Sequence, residues 1–442
     1  LLVLLLVLGG FAFSSETQKT KPKASPSASR SASPSPSPTP SPSPVKTCSV
    51  AAQAANPSLG TLQAVVLNAD TGEVLYDRGA DSPAATASAM KPITAAAALM
   101  SLGSNFRATT RVFAEPSSKT SISLVGGGDV TLSRLTDGSQ SVYRDAPKLL
   151  TLANQVTDWA NANGVTEITE IILDSTLFAG SSWESSWQRR DQVDGWISEV
   201  TALQLDGDRI TPSAFTSPKT GMPVFNTGEE LRAQLGALAA NANLVEATTP
   251  AGYVEIASVQ SQPMSRWISH ILQTSENIES EMIGKLIAVN TGFDGSFASL
   301  DPAVKKSLAA TQLDFTNLNI RDASGLSDLN MVTPKFLAEL MRLVNTEYGE
   351  FGLIKKALPV AGKSATLGGR FKGDIADAAG SILAKNGYII GVHTLSGIIY
   401  ASDGTTLTFT IYALGNVGSD VRLAIDTLAT GIYRCGNNLS NE

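Results

Sequence analysis

Strand-like segments stand at both ends of this chain's body, and that distribution restricts its fold more than any other feature. Near the start, residues 62–68 (LQAVVLN) and 73–76 flank the turn-forming sequence Ala-Asp-Thr-Gly, a pattern typical of a β-hairpin. Near the end, apolar and β-branched stretches follow one another at residues 388–390, 395–400 and 407–414. Strand-like and helical pieces alternate between these ends. We therefore expect one α+β domain whose sheet takes strands from both ends, with a further domain inserted in the middle.

The N-terminal residues differ in composition from the body. An apolar run, LLVLLLVLGGFAF, occupies residues 1–13 and is too short to span a bilayer as it stands. We interpret residues 1–15 as the remnant of a secretory signal peptide or signal anchor. Residues 22–44 hold eight of the chain's 21 prolines, so we expect residues 16–50 to form a disordered linker. This combination predicts a protein that works outside the cytoplasmic membrane, either secreted or membrane-anchored.

Charge and metal-ligand counts argue against two classes of function. The chain carries 33 Lys+Arg against 40 Asp+Glu, and this acidic balance disfavours general nucleic-acid binding, which needs clustered cations. Two cysteines, Cys48 and Cys435, and two distant histidines, His270 and His393, lack the spacing of a metal site. The cysteines lie one at each end of the body. In an exported chain they either pair and join the termini or remain two free thiols.

The most informative tetrad is Ser88-Ala-Met-Lys91, at the start of an Ala-rich stretch, residues 90–102, that predicts a buried helix. Residues three apart on a helix face the same way, so an amine would lie beside a hydroxyl. A partly desolvated lysine loses proton affinity and can act as the base for that hydroxyl. The alternative is that Ser88 only caps the helix. The same tetrad occurs from Ser43 to Lys46 in the linker, so alone it is a weak signal.

Two further motifs follow in order. Ser275-Glu-Asn277 is the one Ser-x-Asn of the chain, and Lys385-Asn-Gly387 begins the C-terminal strand region. With the first tetrad they resemble the penicillin-recognising acyl-serine enzymes, in which Ser-x-x-Lys, Ser-x-Asn and Lys-Thr-Gly occur in this order. The surrounding sequence is similar to D-alanyl-D-alanine carboxypeptidase/endopeptidases, the low-molecular-weight class C penicillin-binding proteins of peptidase family S13. The similar stretches extend over the whole body: SAMKPITAAAAL, LVGGGDVTL, SENIESEMIGK, DASGLS, LPVAGKSATLGGRFKG and AKNGYIIGVHTLSG.

This resemblance implies both a fold and an activity. The fold is an α+β arrangement of the β-lactamase/transpeptidase type, an antiparallel sheet with helices on both faces and one inserted domain. We assign 51–109 and 256–442 to the catalytic domain and 110–255 to the insertion. The implied activity is that of a serine DD-carboxypeptidase, with DD-endopeptidase action as a further option, on the stem peptides of peptidoglycan. β-Lactams are the expected inhibitors, no cofactor is needed, and the protein would face the cell wall.

The resemblance also implies a role for each motif. The serine of the first motif attacks the carbonyl of the D-Ala-D-Ala bond, and its lysine takes the proton. The second motif relays the proton to the leaving amine and holds the substrate, and the third holds the free carboxylate. The main-chain N–H groups of Ser88 and Tyr388 form the oxyanion hole. The catalytic set is Ser88, Lys91, Ser275, Asn277 and Lys385, and the substrate-binding set is Asn386, Gly387 and Tyr388.

Three features of this sequence bear on its match to the third motif of the family. The third motif reads Lys-Asn-Gly, and because the Asn386 carboxamide is longer than a hydroxyl and passes a proton less easily, we expect altered activity. A literal Lys219-Thr-Gly precedes Ser275 and leads into a helical pattern, so we interpret it as unrelated to the site. The stretch Lys363-Ser-Ala-Thr-Leu imitates the motif ahead of Lys385 but matches a different family segment, Gly-Thr-Leu-x-x-Arg-Phe.

Two other functions stay open at this point. Asn386 motivates the first, a catalytically impaired penicillin-binding-like protein that binds the wall. The second is a serine β-lactamase, although the chain has no Glu-x-x-Leu-Asn element of the class A type. Other conspicuous residues receive simpler interpretations: Glu281 as a surface acid and the loop 322–327 as support for the site. For Trp183, Trp187 and Trp196, with Arg189 and Arg190, we favour packing of the insertion over the alternative of contact with glycan or peptide.

Overall fold

The computed structural model describes residues 45–136 and 138–442, and within these residues ten strands form two sheets. In chain order the strands are β1 (Thr61–Asn68), β2 (Val74–Arg78), β3 (Thr109–Ala114), β4 (Ser121–Val125), β5 (Glu170–Asp174), β6 (Asn243–Glu246), β7 (Val254–Gln260), β8 (Ile382–Ile389), β9 (Val392–Tyr400) and β10 (Thr406–Leu414). The α-helices are α1 (Ala51–Ala54), α2 (Lys91–Ser101), α3 (Leu149–Asn163), α4 (Arg189–Val193), α5 (Pro223–Leu235), α6 (Met264–Thr274), α7 (Asn277–Asn290), α8 (Leu300–Leu308), α9 (Pro334–Asn345), α10 (Gly352–Ala357) and α11 (Val421–Cys435).

The first sheet takes strands from both ends of the described chain, in the order β2-β1-β10-β9-β8. All of its neighbouring strands are antiparallel. Its central strand, β10 (TLTFTIYAL), is buried over most of its length, as expected for a strand that is covered on both faces. The expectation of one sheet built from both ends of the body is confirmed.

Helices cover both faces of this sheet. Successive side chains of a strand point to opposite faces, and on β9 Ile398 belongs to one apolar core whereas Ile399 belongs to another. The first core includes Leu337 of α9, and the second includes Ile425 of α11. The α+β class, with an antiparallel sheet between helices, is therefore confirmed.

The second sheet is built from residues 109–260, in the order β6-β5-β4-β3-β7. It is mixed, because β4, β5 and β6 run parallel whereas β3 is antiparallel to β4 and to β7. Helices α3 and α5 pack beside it around a separate apolar core. The assignment of 110–255 to an inserted domain stays a prediction.

The predicted signal segment, residues 1–15, and the linker up to residue 44 lie outside the described residues. The last part of that linker, residues 46–50, belongs to the folded body and not to a disordered tether. Lys46 pairs with Glu73 at 2.6 Å, and Cys48 forms a parallel bridge to Leu439. Linker composition does not reveal contacts with residues so distant in the chain. Among the described helices, none has the length and apolarity that crossing a bilayer requires.

A disulfide joins Cys48 to Cys435, the last residue of α11, with the two Cα atoms 5.4 Å apart. Of the two alternatives for the cysteines, the structure thus shows pairing. The bonded residues are 387 positions apart. In the chain-entropy account, a bond that closes so long a loop restricts the unfolded chain strongly.

We expect reduction of this disulfide to lower the free energy of unfolding by about 2–5 kcal/mol, because the unfolded chain regains freedom. Chemical denaturation with and without dithiothreitol measures the difference. The Cys48→Ala/Cys435→Ala double variant is the control, and it should match the reduced protein and be insensitive to the reductant. Equal stability of the oxidised and the fully reduced native protein would contradict this expectation.

Candidate active site

Ser88 lies in a 3₁₀ turn, Ala87–Met90, that leads directly into α2, and its side chain is half-buried. Ala87 adopts a φ of 45°, a conformation that costs energy for a non-glycine residue and clusters at functional sites. Lys91, the first residue of α2, donates from Nζ to Ser88 Oγ at 3.0 Å. Because Met90 is the N-cap of α2, the capping interpretation of Ser88 is wrong.

The Lys91 amine is completely buried and is held by three oxygen atoms. Besides Ser88 Oγ, these are Asn277 Oδ1 at 2.8 Å and the main-chain oxygen of Ser324 at 2.9 Å. Burial lowers the pKa of Lys91 from 10.5 to about 8, and nearby carboxylates, Glu281 foremost, oppose part of that decrease. Near pH 8 a large fraction of the Lys91 amine is therefore neutral and able to accept a proton.

Ser275 and Asn277 enter the same site from the junction of two helices. Helix α6 ends at Thr274, Ser275 adopts a left-handed φ of 66°, and α7 begins at Asn277. Both the oxygen and the nitrogen of the Asn277 side-chain amide form hydrogen bonds. Its Oδ1 accepts from Lys91, and its Nδ2 donates to the main-chain oxygen of Trp196 at 3.1 Å. Asn277 thus connects the first motif to the chain around Trp196.

Lys385 reaches the site from β8, the edge strand of the first sheet. Its side chain is fully buried, and its Nζ donates to Ser275 Oγ at 3.1 Å and to the main-chain oxygen of Asn386 at 2.7 Å. Burial, aided by repulsion from Lys91, lowers the pKa of Lys385 well below its usual value. The second motif therefore contacts both lysines, Lys91 through Asn277 and Lys385 through Ser275.

Gly387 lets β8 approach the turn that carries Ser88. A Cβ at position 387 would stand 2.4 Å from Thr394 Oγ1 and 2.7 Å from the Ser88 main-chain nitrogen. These distances leave no room for a side chain. Glycine at this position therefore brings the main chain of β8 beside the main chain of Ser88.

An open cleft of about 390 Å³ lies over these groups. The motif residues that line it are Ser88, Ser275, Asn277, Asn386 and Tyr388. The two motif lysines are buried beneath it. Trp187, Trp196 and Phe215 add aromatic walls. The interpretation of Trp187 and Trp196 as packing of the insertion is therefore incomplete, because both line this cleft. A tryptophan in an irregular segment carries no signal in the sequence of what it will face.

A buried carboxyl group, that of Glu281, supports the floor of the cleft. Glu281 lies on α7 and is fully buried, so its interpretation as a surface acid is wrong. It accepts from the main-chain nitrogens of Ala323 at 2.9 Å and Ser324 at 2.7 Å. Burial raises the pKa of Glu281 to about 8. The carboxylate thereby holds the loop 322–327 in the position where Ser324 bonds Lys91.

A buried ion pair holds the middle residue of the second motif. The Arg209 guanidinium contacts the Glu276 carboxylate, and the two side chains are 0% and 6% exposed. Arg209 also donates to the Tyr143 hydroxyl at 2.9 Å. Burial opposes ionisation of Glu276, but the charge of Arg209 lowers the pKa of Glu276. Because Glu276 lies between Ser275 and Asn277, this pair ties the second motif to the chain around Arg209.

The literal Lys219-Thr-Gly does not line the cleft. Lys219 Nζ donates to the main-chain oxygen of Gly207 at 3.1 Å, and Thr220 bonds the carboxylate of Asp208. Helix α5 begins immediately afterwards, at Pro223. The absence of this tripeptide from the cleft lining agrees with the interpretation that it is not the third motif.

Comparison with known proteins adds three kinds of similarity: to a family, to individual relatives and to a solved structure. A sequence model of the D-Ala-D-Ala carboxypeptidase 3 (S13) family matches residues 46–230 and 219–432. A carboxypeptidase of Mycobacterium tuberculosis is 33% identical over 394 residues, and the carboxypeptidase DacB of Mycolicibacterium smegmatis is 33% identical over 392 residues. Each match covers 88% of this chain and 84% of the relative. Penicillin binding protein 4 (dacB) of Haemophilus influenzae has a similar fold, with a TM-score of 0.71 at 17% identity over 84% of this chain and 95% of that one.

We expect Arg209→Met to lower the free energy of unfolding by about 3–5 kcal/mol, because it leaves the Glu276 carboxylate buried without its partner. Denaturant titration measures this change. A matched control is Arg190→Met, which breaks a pair at a side chain that is 82% exposed and should change stability by less than about 1 kcal/mol.

The double variant Arg209→Met/Glu276→Leu separates the lost charge pairing from a loss of packing. Removing both charges should recover a large part of the stability that Arg209→Met loses. If the double variant is as unstable as the sum of the two single variants, the ion pair is not the stabilising interaction.

Proposed function

The chain belongs to the D-Ala-D-Ala carboxypeptidase 3 (S13) family and is by that membership a serine-type hydrolase; we propose that its cleft cleaves D-Ala-D-Ala bonds of peptidoglycan stem peptides through an acyl-enzyme at Ser88. The observation that carries this proposal is the contact of the buried Lys91 amine with the Ser88 hydroxyl at 3.0 Å. A nucleophile within hydrogen-bond reach of a base whose own position is fixed by further groups is the arrangement that covalent catalysis requires.

In the proposed acylation, neutral Lys91 accepts the proton of Ser88 as Oγ attacks the carbonyl carbon of the penultimate D-Ala. The carbonyl oxygen gains negative charge, and the main-chain N–H groups of Ser88 and Tyr388 stabilise it. The short distance that Gly387 permits between β8 and Ser88 supports this pairing of donors. One such donor is typically worth about 3 kcal/mol in the transition state.

The C–N bond then breaks, and the nitrogen of the terminal D-Ala takes up a proton. We assign this transfer to the Ser275 hydroxyl, which lies on the cleft wall and accepts from Lys385. Ser275 takes up in return the proton that Lys91 received from Ser88, so that Lys91 is again neutral. Asn277 holds Lys91 in place and borders the path of the substrate amide. A water molecule afterwards attacks the ester carbonyl and gives a proton to neutral Lys91. As the ester C–O bond breaks, Lys91 passes this proton to Ser88 Oγ, which restores the hydroxyl and releases the shortened peptide.

The free carboxylate of the substrate is the natural partner of the third motif. Lys385 has a pKa well below its usual value in the free enzyme because it is buried near another lysine. A bound carboxylate would supply the missing counter-charge and favour the ammonium form of Lys385. Asn386, which lines the cleft beside it, would donate from its side-chain amide.

β-Lactams fit the same sequence of steps up to the acyl-enzyme, and we propose that they acylate Ser88. Penicillin binding protein 4 of Haemophilus influenzae, which has a similar fold at a TM-score of 0.67, was crystallised with a β-lactam. Cross-linked stem peptides present a D-Ala amide as well, so DD-endopeptidase action on peptidoglycan is part of the proposal.

We further propose that the protein acts outside the cytoplasmic membrane, facing the cell wall where this substrate occurs. The apolar residues 1–13 and the Pro/Ser-rich residues 22–44 would serve as secretory signal or membrane tether and as spacer. The disulfide between Cys48 and Cys435 supports an oxidising compartment.

Incubation with penicillin should add one penicilloyl group to the intact protein, and peptide mapping should place it on Ser88. The variant Ser88→Ala should show no mass shift. Ser43→Ala, which removes the hydroxyl of the only other Ser-x-x-Lys, should be labelled like the native protein. Release of D-alanine from a D-Ala-D-Ala peptide separates hydrolysis from binding alone. An unlabelled native protein that also releases no D-alanine would overturn the proposal.

The rate constant of acylation should rise with pH, with a midpoint near pH 8, because Lys91 must be neutral to take the proton and its pKa is lowered to about 8. Towards and above pH 8, where Glu281 itself ionises, its charge raises the pKa of Lys91, so Glu281→Gln should move the midpoint to lower pH. Stopped-flow acylation between pH 6 and about 10 tests both statements, with thermal unfolding as the check on folding. A rate that is independent of pH over this range, or a midpoint that moves upward in Glu281→Gln, is the contrary result.

A further inference from the structure

The residue that departs from the family pattern, Asn386, has one side-chain partner that the sequence did not indicate. Thr366 donates from its hydroxyl to Asn386 Oδ1 at 2.5 Å. Thr366 is the middle residue of a 3₁₀ turn, Ala365–Leu367, and is half-buried. It belongs to the stretch that imitates the third motif in sequence.

The two ends of a carboxamide have opposite chemistry, so its orientation decides what Asn386 offers to the cleft. Nδ2 provides two donors, whereas Oδ1 only accepts and would repel a carboxylate. The amide group is planar, and fixing Oδ1 fixes Nδ2 about 120° away from it. Within the described residues Asn386 Nδ2 has no hydrogen-bond partner, and Asn386 lines the cleft. The bond from Thr366 thus leaves the donors free on the side away from it.

Thr366 is itself held firmly enough to impose this orientation. The neighbouring Leu367 is fully buried, and its main-chain oxygen accepts from the Gly362 nitrogen at 3.0 Å. Val360, before the turn, forms an antiparallel bridge to Leu383 of β8. The turn and the strand that carries Asn386 are therefore one connected unit.

We propose that Thr366 is a positioning residue that orients the Asn386 carboxamide, so that its N–H groups bind the terminal carboxylate of the substrate. The proposal rests on the proposed function of the cleft. It explains how an asparagine can replace the usual threonine of the third motif. Thr366 supplies a hydroxyl that bonds the Asn386 carboxamide and not the substrate itself. The carboxamide in turn places its own N–H donors in the cleft.

A KM-against-kcat comparison on a D-Ala-D-Ala peptide tests this role in the full chain. Thr366→Val should raise KM about tenfold with kcat within about twofold, since a hydrogen bond to a charged group is lost in the ground state and in the transition state alike. Thr366→Ser keeps the hydroxyl and should remain within about twofold of the native KM. Thr157→Val is the matched control, because it removes a half-buried hydroxyl that bonds Ala153 on α3, and it should leave both constants unchanged.

Two variants of Asn386 distinguish orientation from general packing. Asn386→Asp keeps the shape and the acceptor for Thr366 but loses the donors, and its KM should rise at least as much as that of Asn386→Ala. In the Asn386→Ala background, Thr366→Val should change KM by less than about twofold, because no amide remains to be oriented. Independent, multiplicative effects of the two substitutions would overturn the proposal, as would a native KM in Thr366→Val.

The outcomes also separate this inference from the function on which it rests. A native protein that forms no penicilloyl adduct and releases no D-alanine refutes the proposed function, and the role of Thr366 falls with it. A native protein that is active, with Thr366→Val equally active at every substrate concentration, refutes only the role of Thr366.

Discussion

Two lysine side chains without solvent contact lie beneath the cleft, and the cost of burying their charges is the constraint on which the site depends. Lys91 and Lys385 are both 0% exposed, and Lys91 lowers the pKa of Lys385. Burial lowers the pKa of Lys91, and nearby carboxylates offset part of this decrease. For Lys385, burial and positively charged neighbours both lower the pKa. Two adjacent buried ammonium groups are costly. Burial thus lowers the proton affinity of Lys385, and we propose that the carboxylate of a bound substrate supplies the missing counter-charge.

The groups that hold these lysines come from parts of the chain that are far apart in sequence. Helix α2 carries Lys91, strand β8 carries Lys385, and the junction of α6 and α7 supplies one contact to each. Residues between the second sheet's strands take part as well, because Trp196 accepts from Asn277 and Arg209 pairs with Glu276. The second motif is thus fixed from several sides, which keeps its hydroxyl and amide in one geometry.

The sequence predicted the first sheet and the three motifs because both depend on local patterns: alternating strands, an Ala-rich helix and short fixed spacings. It failed where a residue's role depends on partners distant in the chain. Glu281 looks like any acid on a helix until α7 proves to be buried on nearly all sides, and Trp196 carries no sign that it lines a cleft. Likewise, nothing local in the sequence pairs Arg209 with Glu276 or Thr366 with Asn386. The predicted linker, residues 16–50, also extends too far, because it rests on composition alone. The disulfide from Cys48 to Cys435 shows that Cys48 belongs to the folded body.

The proposed mechanism depends on burial giving Lys91 the proton affinity of a base that works near neutral pH. Its most direct test is the titration of the Lys91 side chain, followed by NMR in protein with ¹³C-labelled lysine and assigned by comparison with Lys91→Arg. The expected midpoint is about pH 8. A midpoint near 10.5, the value of an exposed lysine, would contradict it.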